Sequence, residues 1–259
     1  METIVVERHE GIVTVTLDRP RRKNAAIPRM WEELLAAFTA IGRSTGDRCV
    51  VITGAGGNFC SGADIESLAS RAGEARHPLA MMGDVRDVLL ALHHLPQPTI
   101  AKVRGVAVGI GMNLALACDL VVAAEDARFS EIFARRGLSV DGGGSWSLPR
   151  RVGIHRAKEL VLLADIVPAA EAERIGLVNR VVAEAEIDGF VDGWARRLAA
   201  GPPIALAQSK RLLDSAAALS LRQALDDEGA AQAVNLATRD TAEALAAWLE
   251  KREPRFEGR

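Results

Sequence analysis

Three glycine-rich loops in this sequence carry residues that could support chemistry. The first ends in Ser61-Gly62-Ala63-Asp64, the second opens an apolar helix after Gly109, and the third places Asp141 before three glycines. Each loop alone is typical of a tight turn that needs positive φ. The first two together offer more, because free amides at a helix start and at a small-residue turn can stabilise an oxyanion.

The same loops do not fit a dinucleotide-binding fingerprint, which requires G-x-G-x-x-G after a strand. Phe59, Leu114 and Ser147 stand where the third glycine belongs. A nicotinamide or flavin enzyme of the Rossmann type is therefore only a weak alternative.

Composition excludes several other classes. The chain has 259 residues, 49% of them apolar, and a net charge of −2, so it has no general attraction to nucleic acid or to an anionic membrane. Its three cysteines favour reduced thiols over a disulfide framework. The N-terminus runs straight into strand-like sequence without a targeting segment, which predicts a cytoplasmic protein. His93 and His94 lack a ligand partner at suitable spacing, and we expect no metal site.

Apolar patterning predicts an α/β fold. Strands are expected at 3–7, 12–17, 49–53, 99–103 and 120–123, and helices from Pro28 onward, at 81–95 and at 112–118. Strands that alternate with helices indicate an α/β architecture. Beyond Gly201 the sequence is rich in alanine, leucine and charge. We therefore expect a mixed core over residues 1–200 and a helical region over 201–259.

Four segments resemble the crotonase (enoyl-CoA hydratase/isomerase) family, in order and over nearly the whole chain. They are Asn-Phe-Cys-Ser-Gly-Ala-Asp-Ile at 58–65, the glycine cluster and helix at 105–119, the block at 129–146, and Gly-Leu-Val-Asn-Arg-Val at 176–181. The resemblance implies a crotonase-like spiral of ββα units and a C-terminal helical trimerisation region. It also implies a homotrimer or hexamer and an acyl-CoA thioester substrate, with coenzyme A as part of the substrate and no separate cofactor.

The resemblance also assigns site residues. It implies an oxyanion hole made by the amides of Ser61 and Ile110, next to Gly62 and Gly109. The adenine and pantetheine path would be lined by Ala63, Asp64 and Ile65. Other expected coenzyme A contacts are Arg21, Arg22, Lys23 and, from a neighbouring subunit, Trp248 and Lys251. The three adjacent cations are equally well explained as a solvated charge run.

Two departures from the family pattern bear on the chemistry. Where hydratases of the family carry two glutamates, this chain has Asn113 and Phe133, and neither can act as a base. Glu131 is close in sequence, but two residues along a helix would point it about 160° away from Phe133. Asp141 stands where family branches that isomerise, open or close rings, or dehalogenate use an aspartate. An acid against an apolar wall should have a raised pKa.

The sequence therefore predicts an enoyl-CoA isomerase-type enzyme in which Asp141 moves a proton. The alternatives are a hydratase or another aspartate-dependent reaction on aromatic or cyclic CoA thioesters. From a different class, a non-catalytic acyl-CoA-binding protein also fits the loss of both glutamates.

Overall fold

A computed structural model describes residues 1–70 and 77–259 of the chain. Its strands are β1 (Ile4–His9), β2 (Ile12–Leu17), β3 (Cys49–Gly54), β4 (Thr99–Val103), β5 (Val106–Val108), β6 (Leu120–Ala124), β7 (Arg128–Ser130), β8 (Val167–Pro168) and β9 (Arg180–Val182). Its α-helices are α1 (Pro28–Gly42), α2 (Ile65–Ser70), α3 (Pro78–His93), α4 (Ile110–Leu116), α5 (Gly144–Leu163), α6 (Ala169–Arg174), α7 (Ile187–Ala199), α8 (Pro203–Ala216), α9 (Leu221–Leu236) and α10 (Arg239–Glu250). Short 3₁₀ turns cover Pro20–Arg22 and Ile132–Arg136.

The larger sheet has the strand order β1-β2-β3-β4-β6-β9. β1 and β2 form the predicted antiparallel hairpin, and the remaining neighbours pair in parallel. Alternate side chains of β3 pack into two separate clusters, with Ile52 in the main core and Val51 in a smaller core beside α7. Burial on both faces explains why this strand is apolar without alternation.

A second, smaller layer is built from β5, β7 and β8. Isolated bridges extend it, because Cys60 pairs with Ala107 and Ala63 pairs with Ala26. The chain thus adds one strand to the large sheet and one extended segment to the small layer before turning into a helix. This repeat confirms the predicted α/β spiral of ββα units.

Helix boundaries differ from prediction at two places. The helix expected at 81–95 spans Pro78–His93, and the one expected at 112–118 begins two residues earlier, at Ile110. The early start follows from Gly109, which caps α4 with φ of 54° and ψ of −124°. Only a glycine adopts this backbone conformation readily, so the chain enters the helix directly after it.

The region after Gly201 is helical, as predicted, with no strand among the elements that the structure describes. α8 is tied to the core by Lys210, whose Nζ lies 3.0 Å from Asp119 Oδ2. The same carboxylate accepts hydrogen bonds from the amide and hydroxyl of Thr99. None of the described helices is both long enough and apolar enough to cross a membrane.

Candidate active site

The first and second glycine loops meet at the ends of neighbouring segments of the small layer. The Cys60 amide donates to Val106 O at 2.9 Å, and the Val108 amide donates to Cys60 O at 3.0 Å. Gly111 permits this approach, because a Cβ there would lie 2.7 Å from Cys60 Cβ. The segment 61–64 therefore runs beside the start of α4.

The structure does not support Ser61 as an oxyanion donor. Its amide already donates to Lys23 O at 2.9 Å, so the hydrogen is not available to a ligand. Two residues on, the neighbours of Ala63 are paired with Ala26, through Ala26 N to Gly62 O at 2.8 Å and Asp64 N to Ala26 O at 2.9 Å. The Ala63 amide itself has no acceptor among the described residues, and Ala63 is exposed.

The amide of Ile110 is available as the resemblance implied. The first hydrogen bond within α4 runs from Asn113 N to Gly109 O at 3.0 Å, which leaves the amides of the first turn without a helical partner. No side chain within residues 1–70 or 77–259 caps this helix. The amides of Ala63 and Ile110 are therefore both without an acceptor in the described part of the chain, one in each of the two loops.

The third block closes this junction from the other side. The Phe133 ring packs on Gly109, where an added Cβ would lie 3.5 Å from Phe133 Cζ. At Gly142 an added Cβ would collide with the side chain of Ile110 and lie 3.3 Å from Asn113 Cβ. These contacts bring together Phe133, Asn113, Ile110 and the residue next to Asp141.

Asp141 has the electrostatic character that the sequence predicted. Its Oδ1 is buried without a hydrogen-bond partner among the described residues. Burial raises the pKa of this carboxyl to about 6. A carboxyl with such a pKa exchanges its proton close to neutral pH, which suits general acid–base catalysis.

Glu131 does not point away from the site, so the helix-based expectation for this residue is wrong. It follows the last residue of β7 and precedes the 3₁₀ turn, with φ of −84° and ψ of 62°, so helical spacing does not apply. Its side chain is 1% exposed, and its Oε2 accepts a hydrogen bond from Asn113 Nδ2 at 3.3 Å. Sequence reasoning could have found it from its place immediately after a strand of the small layer.

The residues expected along the coenzyme A path divide into two groups. Ala63 and Ile65 are exposed next to Gly62. The carboxylate of Asp64 instead turns inward, lies 3.0 Å from Arg19 Nη2, and accepts from the Ser67 amide at 3.1 Å. Its side chain is therefore structural, since it holds the loop and the start of α2.

The cations and the C-terminal residues lie on exposed surface. Arg22 pairs with Glu66 at 2.8 Å, while Arg21 and Lys23 are exposed beside it at the edge of the first loop. Trp248 is 77% exposed on α10, and Lys251 follows that helix in a left-handed conformation. No contact among the described residues brings either of these two to Asp141.

A largely apolar cavity of about 730 Å³ opens next to Asn113 and Gly142. It reaches the site through Asn113 and Gly142 and extends between α3, α5 and α8. Asp141 and Glu131 do not line it. Apolar side chains dominate its wall, among them Met82, Val85, Leu89, Leu90, Leu116 and Trp146.

Comparisons with known proteins show the family of this chain. The sequence model described as Enoyl-CoA hydratase/isomerase matches residues 7–259. The chain is 34% identical to the 1,2-epoxyphenylacetyl-CoA isomerase of Escherichia coli, over 100% of both chains. It is also 32% identical to the crotonyl-CoA hydratase of Syntrophomonas wolfei, over 98% of both chains.

Solved structures show the same fold. The crystal structure of an enoyl-CoA hydratase from Bacillus anthracis superposes with a TM-score of 0.94 and 32% identity, over 100% of both chains. Because the family match covers almost the entire sequence, this chain belongs to the enoyl-CoA hydratase/isomerase (crotonase) family and is an acyl-CoA enzyme.

Proposed function

We propose that this enzyme shifts a double bond or a proton in an acyl-CoA thioester through an enolate. The observation that carries the proposal is the half-buried carboxyl of Asp141, whose pKa is raised to about 6, in a site without a glutamate at positions 113 and 133. Water placement for hydration needs a base at one of those positions, and Asn113 and Phe133 supply none.

The residues perform the reaction in two steps. The Asp141 carboxylate takes a proton from the substrate carbon, and the electron pair moves into the thioester to form an enolate. The amides of Ala63 and Ile110 hold the enolate oxygen, since both are free and neighbouring. The protonated Asp141 then returns the proton to another carbon, which moves the double bond. The chemistry needs no cofactor beyond the coenzyme A carried by the substrate.

A panel of thioesters tests this function. The enzyme is incubated with 2-enoyl-, 3-enoyl-, dienoyl- and aryl-CoA substrates, and the products are read by mass and by double-bond position. Isomerisation changes the bond position without changing mass, whereas hydration adds the mass of water. A product enlarged by water as the main outcome would contradict the proposal.

An aspartate-dependent reaction on an aromatic or cyclic thioester is the second candidate. Two observations favour it: the wide apolar cavity of about 730 Å³ beside Asn113, and the name of the E. coli relative. The aryl- and cyclic-CoA members of the panel distinguish the two reactions, because turnover confined to them selects the second.

The C-terminal helices are proposed to assemble the enzyme into a trimer or a hexamer. These helices carry apolar side chains with no partner in the described part of a single chain, which indicates a subunit interface. The exposed residues are Leu213, Leu221, Leu225, Val234, Leu236, Leu245, Trp248 and Leu249.

We therefore expect light scattering to give the mass of three or six chains at micromolar concentration. Trp248→Glu should shift the protein towards monomer, because a charge would be buried in the interface. Val5→Glu, the same kind of change on exposed β1, serves as control. A monomeric wild-type enzyme would contradict the assembly.

A further inference from the structure

A buried polar cluster lies behind Asp141 and is not used by the mechanism above. Glu131 and Asn113 are each 1% exposed. The Asn113 side-chain amide donates to Glu131 Oε2 at 3.3 Å and to the main-chain oxygen of Asp141 at 2.9 Å. Asn113 therefore connects a second carboxyl to the backbone that carries the first.

This cluster has more hydrogen-bond acceptors than donors. Asn113 Oδ1, Glu131 Oε1 and Asp141 Oδ1 are all buried acceptors without a partner among the described residues. Both hydrogens of the Asn113 amide are already engaged. A buried acceptor without a donor destabilises the folded state, because it has given up its hydrogen bonds to water. Water can donate hydrogen bonds to these acceptors, but it does not remove the repulsion between two carboxylate charges in one cluster. We therefore expect one of the two carboxyls, Glu131 or Asp141, to be protonated.

Glu131 is the better place for that proton. Burial raises the pKa of Glu131 to about 8, and the charge of Asp141 adds to this shift, while the hydrogen bond from Asn113 opposes it. Arg135 and Arg136, in the turn that follows, are exposed, and Arg135 pairs with Asp165. With the pKa of Asp141 at about 6, neutral pH leaves Glu131 protonated and Asp141 ionised.

We propose that Glu131 is a positioning residue for Asp141, and that it stores a proton in the resting enzyme while Asn113 links its carboxyl to the main chain of Asp141. The inference rests on the proposed role of Asp141 as the proton shuttle. A neutral Glu131 leaves one negative charge at the site. Its ionisation would add a second charge, which opposes formation of the enolate and removes a hydrogen-bond donor from the cluster. Turnover should therefore fall as the pH rises through the upper titration of the pair.

Infrared spectroscopy tests the stored proton without any substrate. A protonated carboxyl has its own C=O stretch, and we expect this band in the wild-type enzyme at neutral pH and its loss as the pH rises through about 8. Glu131→Gln should remove the neutral-pH band. Asp141→Asn should keep the band and move its midpoint to lower pH, because the neighbouring charge that raises the pKa of Glu131 is gone.

The pH profile of turnover is the second readout. The wild type should show a bell, since the lower limb belongs to ionisation of Asp141 and the upper limb to ionisation of Glu131. Glu131→Gln has the size of the protonated acid and keeps a donor but cannot titrate, so its profile should lose the upper limb and keep the lower one. Glu131→Leu, which removes both oxygens, controls for loss of the hydrogen bond.

Two results would overturn the inference: no protonated-carboxyl band in the wild type at neutral pH, or a band that Glu131→Gln leaves in place. Both are measured without turnover, so they stand apart from a failure of the proposed function, which the thioester panel reports. Should Glu131→Gln fold poorly by circular dichroism, the wild-type band and its shift in Asp141→Asn decide the matter.

Discussion

Asp141→Asn is expected to lower turnover of the best isomerisation substrate by at least about 10²-fold, because general acid–base groups typically contribute about 10²- to 10⁴-fold. Asparagine keeps the size of the side chain and its tendency to form a turn but cannot carry the proton. The variant should also lose exchange of deuterium into the substrate carbon, measured by mass in heavy water.

The pH dependence of the wild type follows from the same group. Burial raises the pKa of Asp141 to about 6, so the carboxylate that accepts the proton predominates above that pH. Turnover should therefore decline as the pH falls through about 6, and this limb should be absent from any residual activity of Asp141→Asn.

Binding and a matched variant complete the test. Affinity for coenzyme A thioesters should change little in Asp141→Asn, because the free amides of the two loops are untouched. Asp165→Asn makes the same chemical change at an exposed aspartate that pairs with Arg135, and its turnover should stay near wild type. If Asp141→Asn keeps both turnover and exchange, Asp141 is only a turn residue, and Glu131 becomes the next acid to examine.

Sequence patterning predicted most of the fold because its signals are local. The β-branched runs before the first two glycine loops became β3 and β4, and β4 has the predicted bounds of 99–103. The presence of an acid, Asp141, in the third block was also predictable, because it follows from the order of the motifs along the chain. Burial of the half-exposed Asp141 side chain then accounts for its raised pKa.

Which amide is free to act as the proposed oxyanion donor was not predictable in the same way. Ser61 and Ala63 lie on either side of Gly62, whose φ is 101°, and their amides differ in what lies opposite them. Lys23 occupies the first, whereas nothing described occupies the second. Lys23 and its neighbours lie almost 40 positions earlier in the chain. Only the pairing of these two segments in the folded protein therefore shows which amide is free.

The position of Glu131 was misjudged for a different reason. The expectation assumed one continuous helix through Glu131 and Phe133, with a fixed rotation per residue. The segment is instead the end of a strand followed by a 3₁₀ turn. The change of backbone conformation places both residues at the site, Phe133 against Gly109 and Glu131 against Asn113.

Removal of either of the two proposed oxyanion donors is the other change expected to have a large effect. Ala63→Pro and Ile110→Pro each replace the N–H by a ring nitrogen, and loss of one such donor typically costs about 2.7–4 kcal/mol, or about 10²–10³-fold in turnover. Ile110 is the first residue of α4, where proline is favoured, and the Ala63 amide has no partner to lose among the described residues.

The controls separate the amide from the side chain. Ile110→Ala removes the same aliphatic group as Ile110→Pro but keeps the N–H, and Ala63→Ser keeps the amide at an exposed position. Both should retain turnover within about tenfold of wild type, while the proline variants fall further.

Loss of turnover with intact binding of a thioester would show that the amides stabilise the transition state, because a neutral carbonyl needs the two amides far less than an enolate oxygen does. Folded proline variants with near-normal turnover would show that the enolate is stabilised elsewhere. In that case the other free amides of the first turn of α4 would be the donors to test.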